Sequence, residues 1–477
     1  MNHSDGLASP DGSDTSPSLS SRLDRLPAST RSHKIWMVIL GSLFLWDVAD
    51  VHVLAYAAPA IRKEWGLSIS DVGVLTSISF LGMFIGALVG GRISDRIGRK
   101  KMIIGATVLY SVFTVGCAIA PNFATLGLCR LLTGVGLQAL TGALIVYVTE
   151  MFPKASRGRN QSLLLAVGLL GVPVMAWAAR FIVPLDESAW RWLLLLPVLG
   201  VISAVFAQFL LPESVRWLEL NGRGSEAEGL VRRLEDEAIR RSGTVLPEPV
   251  EFPAEPQRGL SDLLKDSYSR RAVVVASVVM SFGILSLFGF NSWVPTLLTE
   301  HGYSTKSALG VTSILSLAPI LGALAAVPFI DRFERKYIGA LLSVVIAAGM
   351  LTFAYTDSGA VLIAAGFVVT MFLQTSTATL YTYLPEIFPT SLRGIGAGMA
   401  NGIGRLAGIG GGMVVAALLA GLGFQAVLVA TALFAIISGA AFGLFGENTK
   451  GRALEEIAPS AAQDGRPHAG VPVKAME

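Results

Sequence analysis

A string of charged residues occurs twice in this chain, 236 positions apart, each time in a short polar gap between long apolar stretches. Asp95, Arg96, Arg99 and Lys100 recur as Asp331, Arg332, Arg335 and Lys336. Further on, Glu150, Phe152, Pro153, Arg157 and Gly158 recur as Glu386, Phe388, Pro389, Arg393 and Gly394, with the same offset. A constant offset across gaps of about 55 residues requires element lengths and order to have been duplicated with the motifs. The chain is two copies of one unit.

That unit belongs in a bilayer. Hydrophobic residues make up 52% of the chain, charged residues only 15%, and mean hydropathy is +0.61, outside the range of a soluble domain of this length. Apolar runs of roughly 20 residues, enough to cross the hydrocarbon core, lie near 36–60, 72–92, 102–120, 124–148, 160–183 and 190–211 in the first half. The second half supplies 272–298, 307–330, 337–356, 359–384, 394–420 and 424–445. The pattern predicts an all-α membrane protein with 12 transmembrane helices in two six-helix halves.

The expected organisation is a disordered cytoplasmic tail over 1–34, a first half over 35–211, a cytoplasmic central loop over 212–271, a second half over 272–446 and a cytoplasmic C-terminal tail over 447–477. The first tail is rich in Ser, Asp and Pro and has no apolar core or cleavage site, so it does not read as a signal peptide. Within the central loop, Ser225 to Arg241 has the charge density of a solvated amphipathic helix. With both termini cytoplasmic, 30 of the 37 Lys and Arg fall in tails and inside loops and about five outside, which sets the orientation in a plasma (inner) membrane. The net charge of +3 then reflects basic loops facing anionic lipid, not a nucleic-acid partner. Cys117 and Cys129 fall in spans and indicate neither a disulfide framework nor a thiol metal site. No metal cluster, phosphate loop or nucleophile–base pair stands out, so neither an enzyme nor a bound cofactor is expected; the chain reads as a monomer powered by a proton gradient.

The repeated polar gaps read as machinery. Asp95, Arg96 and Arg99, with Glu150 and Arg157, and their counterparts Asp331, Arg332, Arg335, Glu386 and Arg393, form candidate conformational latches: an acid can cap a helix N-terminus while basic residues pair with acids or lipid phosphates. One copy alone would equally fit a plain basic inside loop; two in register favour the latch. The spacing GxxxDRxGRK over Gly91 to Lys100 resembles the loop signature of the major facilitator superfamily, and the resemblance extends from about 36 to 457. Pro212, Glu213, Ser214, Arg216, Trp217 and Leu218 resemble its PESxRWL element, and Thr449, Lys450, Gly451, Leu454, Glu455 and Glu456 its terminal TKGxxLEE. Two departures, Glu334 where glycine is usual and Asn448 where Glu is usual, predict a weaker second latch.

Function should concentrate where the copies disagree. Asp47 and Asp50 map by the offset onto Gly283 and Ser286, Arg130 onto Gly366, and Arg405 back onto Leu169. An intramembrane charge costs about 2.5–3.5 kcal/mol on insertion scales, so it needs a partner or a water-filled cavity. Asp47, Asp50 and Arg130 are the proton-coupling candidates: burial and an adjacent guanidinium oppose each other at a carboxyl, which makes a switch. A permanent ion pair between two helices is the other reading of Asp50 and Arg130. Asp47, three residues before Asp50, is expected on nearly the same helix face. Arg405, in a glycine-rich span, suits a carboxylate. With it, Gln138, Gln374, Asn291, Trp293 and Tyr381 are substrate-binding candidates. Thr141 with Thr377 and Tyr147 with Tyr383 are duplicated in spans four and ten and read either as cavity lining or as interhelical hydrogen bonds.

Asn291, Ser292, Trp293, Pro295, Thr296 and Leu297 resemble the NSWLPTL element of the superfamily's proton symporters for aromatic acids. Asp47 and Asp50 resemble the DxxD of those symporters and of nicotinate transporters, and Gly404, Arg405 and Leu406 their GRLG. The resemblance implies import of a small aromatic or heteroaromatic carboxylate of benzoate or nicotinate type together with protons, by alternating access. The loop elements are shared with sugar porters, so a sugar symporter stays open, as do an efflux antiporter and a nutrient sensor.

Overall fold

The computed structural model describes residues 18–242, 245–249, 260–330, 334–389 and 392–449. Nineteen α-helices and three short 3-10 turns make up the described fold. In the first half α1 is Leu19–Asp24, α2 Arg31–Trp65, α3 Ile69–Ile97, α4 Arg99–Ala118, α5 Phe123–Met151, α6 Lys154–Leu169, α7 Gly171–Ile182, α8 Trp190–Leu195 and α9 Gly200–Leu210. The connection contains α10 Val215–Leu220, α11 Gly224–Ser242 and α12 Leu260–Lys265. The second half continues with α13 Ser267–Asn291, α14 Val294–Glu300, α15 Thr305–Leu315, α16 Ala318–Ile330, α17 Arg335–Tyr355, α18 Gly359–Tyr383 and α19 Arg393–Phe445.

Eleven of these helices or helix pairs are long and apolar enough to cross a bilayer. Uninterrupted, the 53 residues of α19 would run about 80 Å, more than twice the hydrocarbon thickness. Gly423 breaks it: its φ of 82° and ψ of −173° are accessible to glycine and reverse the chain, so α19 contributes two spans, over 393–422 and 424–445. The count is twelve, as the hydropathy pattern predicts.

The two halves touch mainly through α3 and α19, α7 and α15, and α2 and α14. The α3–α19 contact is closed at one end and open at the other. A Cβ on Gly73 would stand 2.6 Å from the Ala416 Cβ, and one on Gly412 would stand 2.9 Å from the Gly73 carbonyl oxygen, so the backbones meet there. At the opposite ends of the same helices Gly91, Gly398 and Gly402 have nothing within 4 Å. The helices cross like scissor blades, parted at the end where α2 begins and α19 stops. At the closed far end Arg62 of α2 pairs with Glu300 of α14.

Residues 18–34, which composition assigns to a disordered tail, are instead packed in place. Leu23 and Leu26 are each 1% exposed against the apolar face of α11. Arg22 bonds Glu228 at 2.8 Å and Glu235 at 2.6 Å, Arg25 bonds Glu235 at 2.7 Å, and Ser32 bonds Glu237. The partners lie some 200 residues away, so local composition carries no trace of them. The amphipathic helix expected over 225–241 is present as α11, whose one face this strap covers.

Candidate functional site

Among the cavities lined by both halves, three adjoin Asp47, His52 and Arg130. The main one, about 230 Å³, is lined from one side by Asp47, Gln138 and Thr141 and from the other by Arg405, Thr377 and Tyr381, with Phe44, Phe80, Phe288 and Met83 among the apolar lining. A second, about 270 Å³, has a polar but uncharged lining of His52, Tyr56, Asn291, Thr370, Gln374 and Ser316. The third, about 40 Å³, touches Arg130. Phe288 lines all three, and its ring meets Phe80 edge-on across the halves at 4.8 Å between centroids.

α2 carries both acids, and they part company. Three residues along a helix is 300°, which leaves the two side chains about 60° apart. Asp50 turns towards α4 and α5: its Oδ1 accepts from Arg130 Nη1 at 2.8 Å and its Oδ2 from the Thr114 hydroxyl at 2.6 Å, while Arg130 Nη2 donates to the Asp50 carbonyl at 3.3 Å. Asp50 is 0% and Arg130 2% exposed, so this is a dry, nearly complete ion pair outside the main cavity. Asp47 faces the cavity, where its Oδ2 accepts from Thr141 at 2.7 Å and its buried Oδ1 has no partner among the described residues. The expectation of one shared face for the two acids is therefore replaced by two separate sites. Close approach of α3 and α5 brings Arg130 and Gln138 to this depth: a Cβ on Gly82 or Gly86 would run into the Leu131 or Val135 carbonyl.

Arg405 is half-buried in the wall opposite Asp47 and acts on it electrostatically, but makes no hydrogen bond or ion pair with any described residue. It is a guanidinium within a membrane span without a carboxylate in contact.

The other candidates divide. Gln138 and Tyr381 line the main cavity; Asn291, Gln374 and Tyr381 line the second, where Thr370 donates to Asn291 at 3.4 Å. Trp293 is a correction: it is 2% exposed in the apolar core of the second half, among neighbours such as Phe290 and Leu297, and lines none of the three cavities. Its bulk is used for packing, the commoner fate of a span aromatic. Thr141 and Thr377 both reach the main cavity. Tyr147 and Tyr383 do not; they tie helix ends to following segments, Tyr147 donating to the Pro212 carbonyl and Tyr383 accepting from the Glu447 N–H.

The latch residues form a network within each half. Arg99 makes two parallel bonds of 3.0 Å to Glu150 and one of 2.8 Å to Asp95, and Ser214 donates to Glu150. The acid that caps α4 is not Asp95 but Glu213, whose Oε1 accepts from the Lys100 N–H at 3.0 Å. Gly98 is required twice over: its φ is 101°, and a Cβ would lie 2.3 Å from Glu213 Oε2. Arg157 bonds Asp24 of the strap at 2.6 Å, and Arg96 is exposed without a partner among the described residues. In the second half Arg335 bonds Glu386 at 3.0 Å and Thr449 at 3.1 Å, and Arg393 begins α19. Asp331 and Arg332 lie outside the described residues. Sequence reasoning missed Thr114, Phe80, Phe288 and the Arg62–Glu300 pair; a threonine or phenylalanine in an apolar helix gives no signal of its own.

Comparison with known proteins agrees with this architecture. The profile described as Major Facilitator Superfamily matches residues 36–412 and 311–463. The chain is 34% identical to the Bacillus subtilis protein YyaJ, named for metabolite transport, over 85% of this chain and 90% of that one. It is 31% identical to the niacin transporter NiaP of Acinetobacter baylyi (92% and 99% covered) and 29% identical to the 4-hydroxybenzoate transporter PcaK of Pseudomonas aeruginosa (88% and 94%). Among solved structures, the inward open xylose transporter XylE of E. coli superposes with a TM-score of 0.71, covering 89% of this chain and 98% of that one at 18% identity, a likeness of fold.

Proposed function

From the premise that this chain belongs to the major facilitator superfamily, as a multi-pass membrane transporter, we propose that it imports a small aromatic or heteroaromatic carboxylate together with protons. The observation that carries the reading is Arg405, a guanidinium in a membrane cavity with no carboxylate of the described residues bound to it. Retaining such a charge costs free energy unless a ligand repays it, and a guanidinium fork matches a carboxylate. A cavity of about 230 Å³ suits a single-ring metabolite, and Phe44, Phe80 and Phe288 offer it aromatic faces.

With both termini cytoplasmic, the described conformation faces inward. Protonation of Asp50 from outside would release Arg130, and deprotonation would re-form the pair drawn here, which links proton movement to rearrangement of α2 against α4 and α5. The loop networks hold each half rigid, and Arg62–Glu300 closes the outer end. The protein acts as a monomer in the plasma (inner) membrane.

The second cavity, with no Asp, Glu, Lys or Arg in its lining, favours one further reading, a proton-coupled sugar symporter. Uptake of labelled benzoate, nicotinate and xylose into proteoliposomes under an imposed pH gradient decides. Gradient-driven uptake of an aromatic acid, lost in Arg405→Ala, is expected; uptake of xylose alone would overturn the proposal.

A further inference from the structure

The main cavity is asymmetric in its hydrogen-bonding chemistry. Its second-half wall presents a donor, Arg405. Its first-half wall presents acceptors with nothing to accept: Asp47 Oδ1 and Gln138 Oε1 are both buried without a hydrogen-bond partner among the described residues. The Asp47 residue is 2% exposed, and its other oxygen is already engaged by Thr141, which fixes the orientation of the carboxyl. Gln138 and Thr141 of α5 both line this cavity, and Thr141 bonds Asp47, so both orphaned oxygens belong to one wall. Buried acceptors left unpaired are costly, and two of them together on a cavity wall describe the complement of a ligand.

Resting on the reading that the substrate is an aromatic carboxylate held by Arg405, we infer that it also carries a hydrogen-bond donor, a hydroxyl or amino group, on the part of the ring remote from its carboxylate. Asp47 and Gln138 receive that donor. Such a ligand bonds one half of the protein at each end and draws the walls together, which is what closure over the substrate needs. Benzoate lacks the donor, a methoxybenzoate presents only an acceptor, and the ring nitrogen of nicotinate is an acceptor too. Each of these leaves both oxygens unpaired, and sites built to hydrogen-bond a substrate hydroxyl discriminate strongly against analogues without one.

Isothermal titration of the full-length protein in nanodiscs tests this, with benzoate, 4-methoxybenzoate and nicotinate on one side and 3-hydroxybenzoate, 4-hydroxybenzoate and 4-aminobenzoate on the other. At least one donor-bearing acid is expected to bind about tenfold or more tighter than every acid without a donor. Gln138→Leu is expected to shrink that ratio. Equal binding of benzoate and of the whole donor series would overturn the inference and leave the carboxylate reading standing. Binding of none of the six acids, with binding of xylose, would overturn both. The comparison of ligands on the unaltered protein stands even where a substitution impairs folding.

Discussion

Glu334 presents its carboxylate to the Thr449 N–H at 2.8 Å, making in the second half the bond that Glu213 makes to the N–H of Ser214, at 2.9 Å, in the first. Glu334 stands at the repeat position of Gly98, and Asn448 precedes Thr449 as Glu213 precedes Ser214, one residue out of the 236-residue register. The two departures that predict a weaker second latch are one compensated exchange: the carboxylate has moved from one side of the contact to the other. Glu334 reaches its place from an ordinary φ of −66°, whereas the left-handed Gly98 has no room for a side chain.

Glu334→Gly should therefore destabilise the second half by about 1.5–3 kcal/mol, the worth of a charged hydrogen bond, and adding Asn448→Glu should restore most of it. Thermal unfolding in detergent measures both. A double variant no more stable than the single would refute the exchange.

At the Asp50–Arg130 pair, Asp50→Asn should abolish gradient-driven accumulation while sparing counterflow exchange. Arg130→Leu alone leaves a buried carboxylate unpaired and should cost about 3–5 kcal/mol, more than the double change with Asp50→Asn. Transport assays and thermal melts read the two effects separately; normal accumulation by Asp50→Asn would remove Asp50 from coupling.

The far-end closure leaves no space for a side chain on Gly73. Gly73→Val should wedge α3 from α19 and shift the population towards the conformation open at that end. Distances between spin labels on the exposed positions 63 and 306, which leave the Arg62–Glu300 pair intact, should lengthen, and unchanged distances would show that the contact does not set the equilibrium.

Phe288 lines both the main cavity and the space beside Arg130. Phe288→Ala should join the three cavities and lower the number of protons moved with each substrate, as measured with a pH-sensitive dye in proteoliposomes. A full proton count in this variant would assign the ring to packing.

The strap supplies a pH-dependent contact outside the membrane. Burial opposes the charge on Glu235, but hydrogen bonds from Arg22 and Arg25 outweigh it and hold its pKa below the usual carboxylate value; Arg22 and Arg232 lower Glu228 likewise. A carboxylate depressed on folding contributes fully above its unfolded pKa, about 4.3, and loses that contribution as pH falls through the lower folded value. Limited proteolysis of residues 18–30 should accelerate only below about pH 4, and Glu235→Gln should accelerate it at pH 7.

The spans, the repeat and the unduplicated charges were legible because they are local or periodic: hydropathy marks the helices, and a fixed offset exposes Asp47, Asp50, Arg130 and Arg405. Which way each charge turns was not. The 60° between Asp47 and Asp50 decides whether an acid meets a cavity or a guanidinium, and only the packing of α4 and α5 around α2 fixes it. Trp293 shows the same limit from the other side, since a motif match does not reveal whether a side chain in the turn between α13 and α14 enters a cavity or the core.

Asp47 and Arg405 sit on opposite walls of one cavity, and Asp50 and Arg130 neutralise each other nearby. Two acids and two guanidiniums balance in number, and a monoanion entering with one proton would add no net charge. A charge carried across the bilayer is worth about 2.3 kcal/mol per 100 mV, but neither the loaded nor the returning step would carry one. Clamping the membrane voltage would then leave the transport rate flat, and the carrier would work as well in a depolarised cell as in a polarised one.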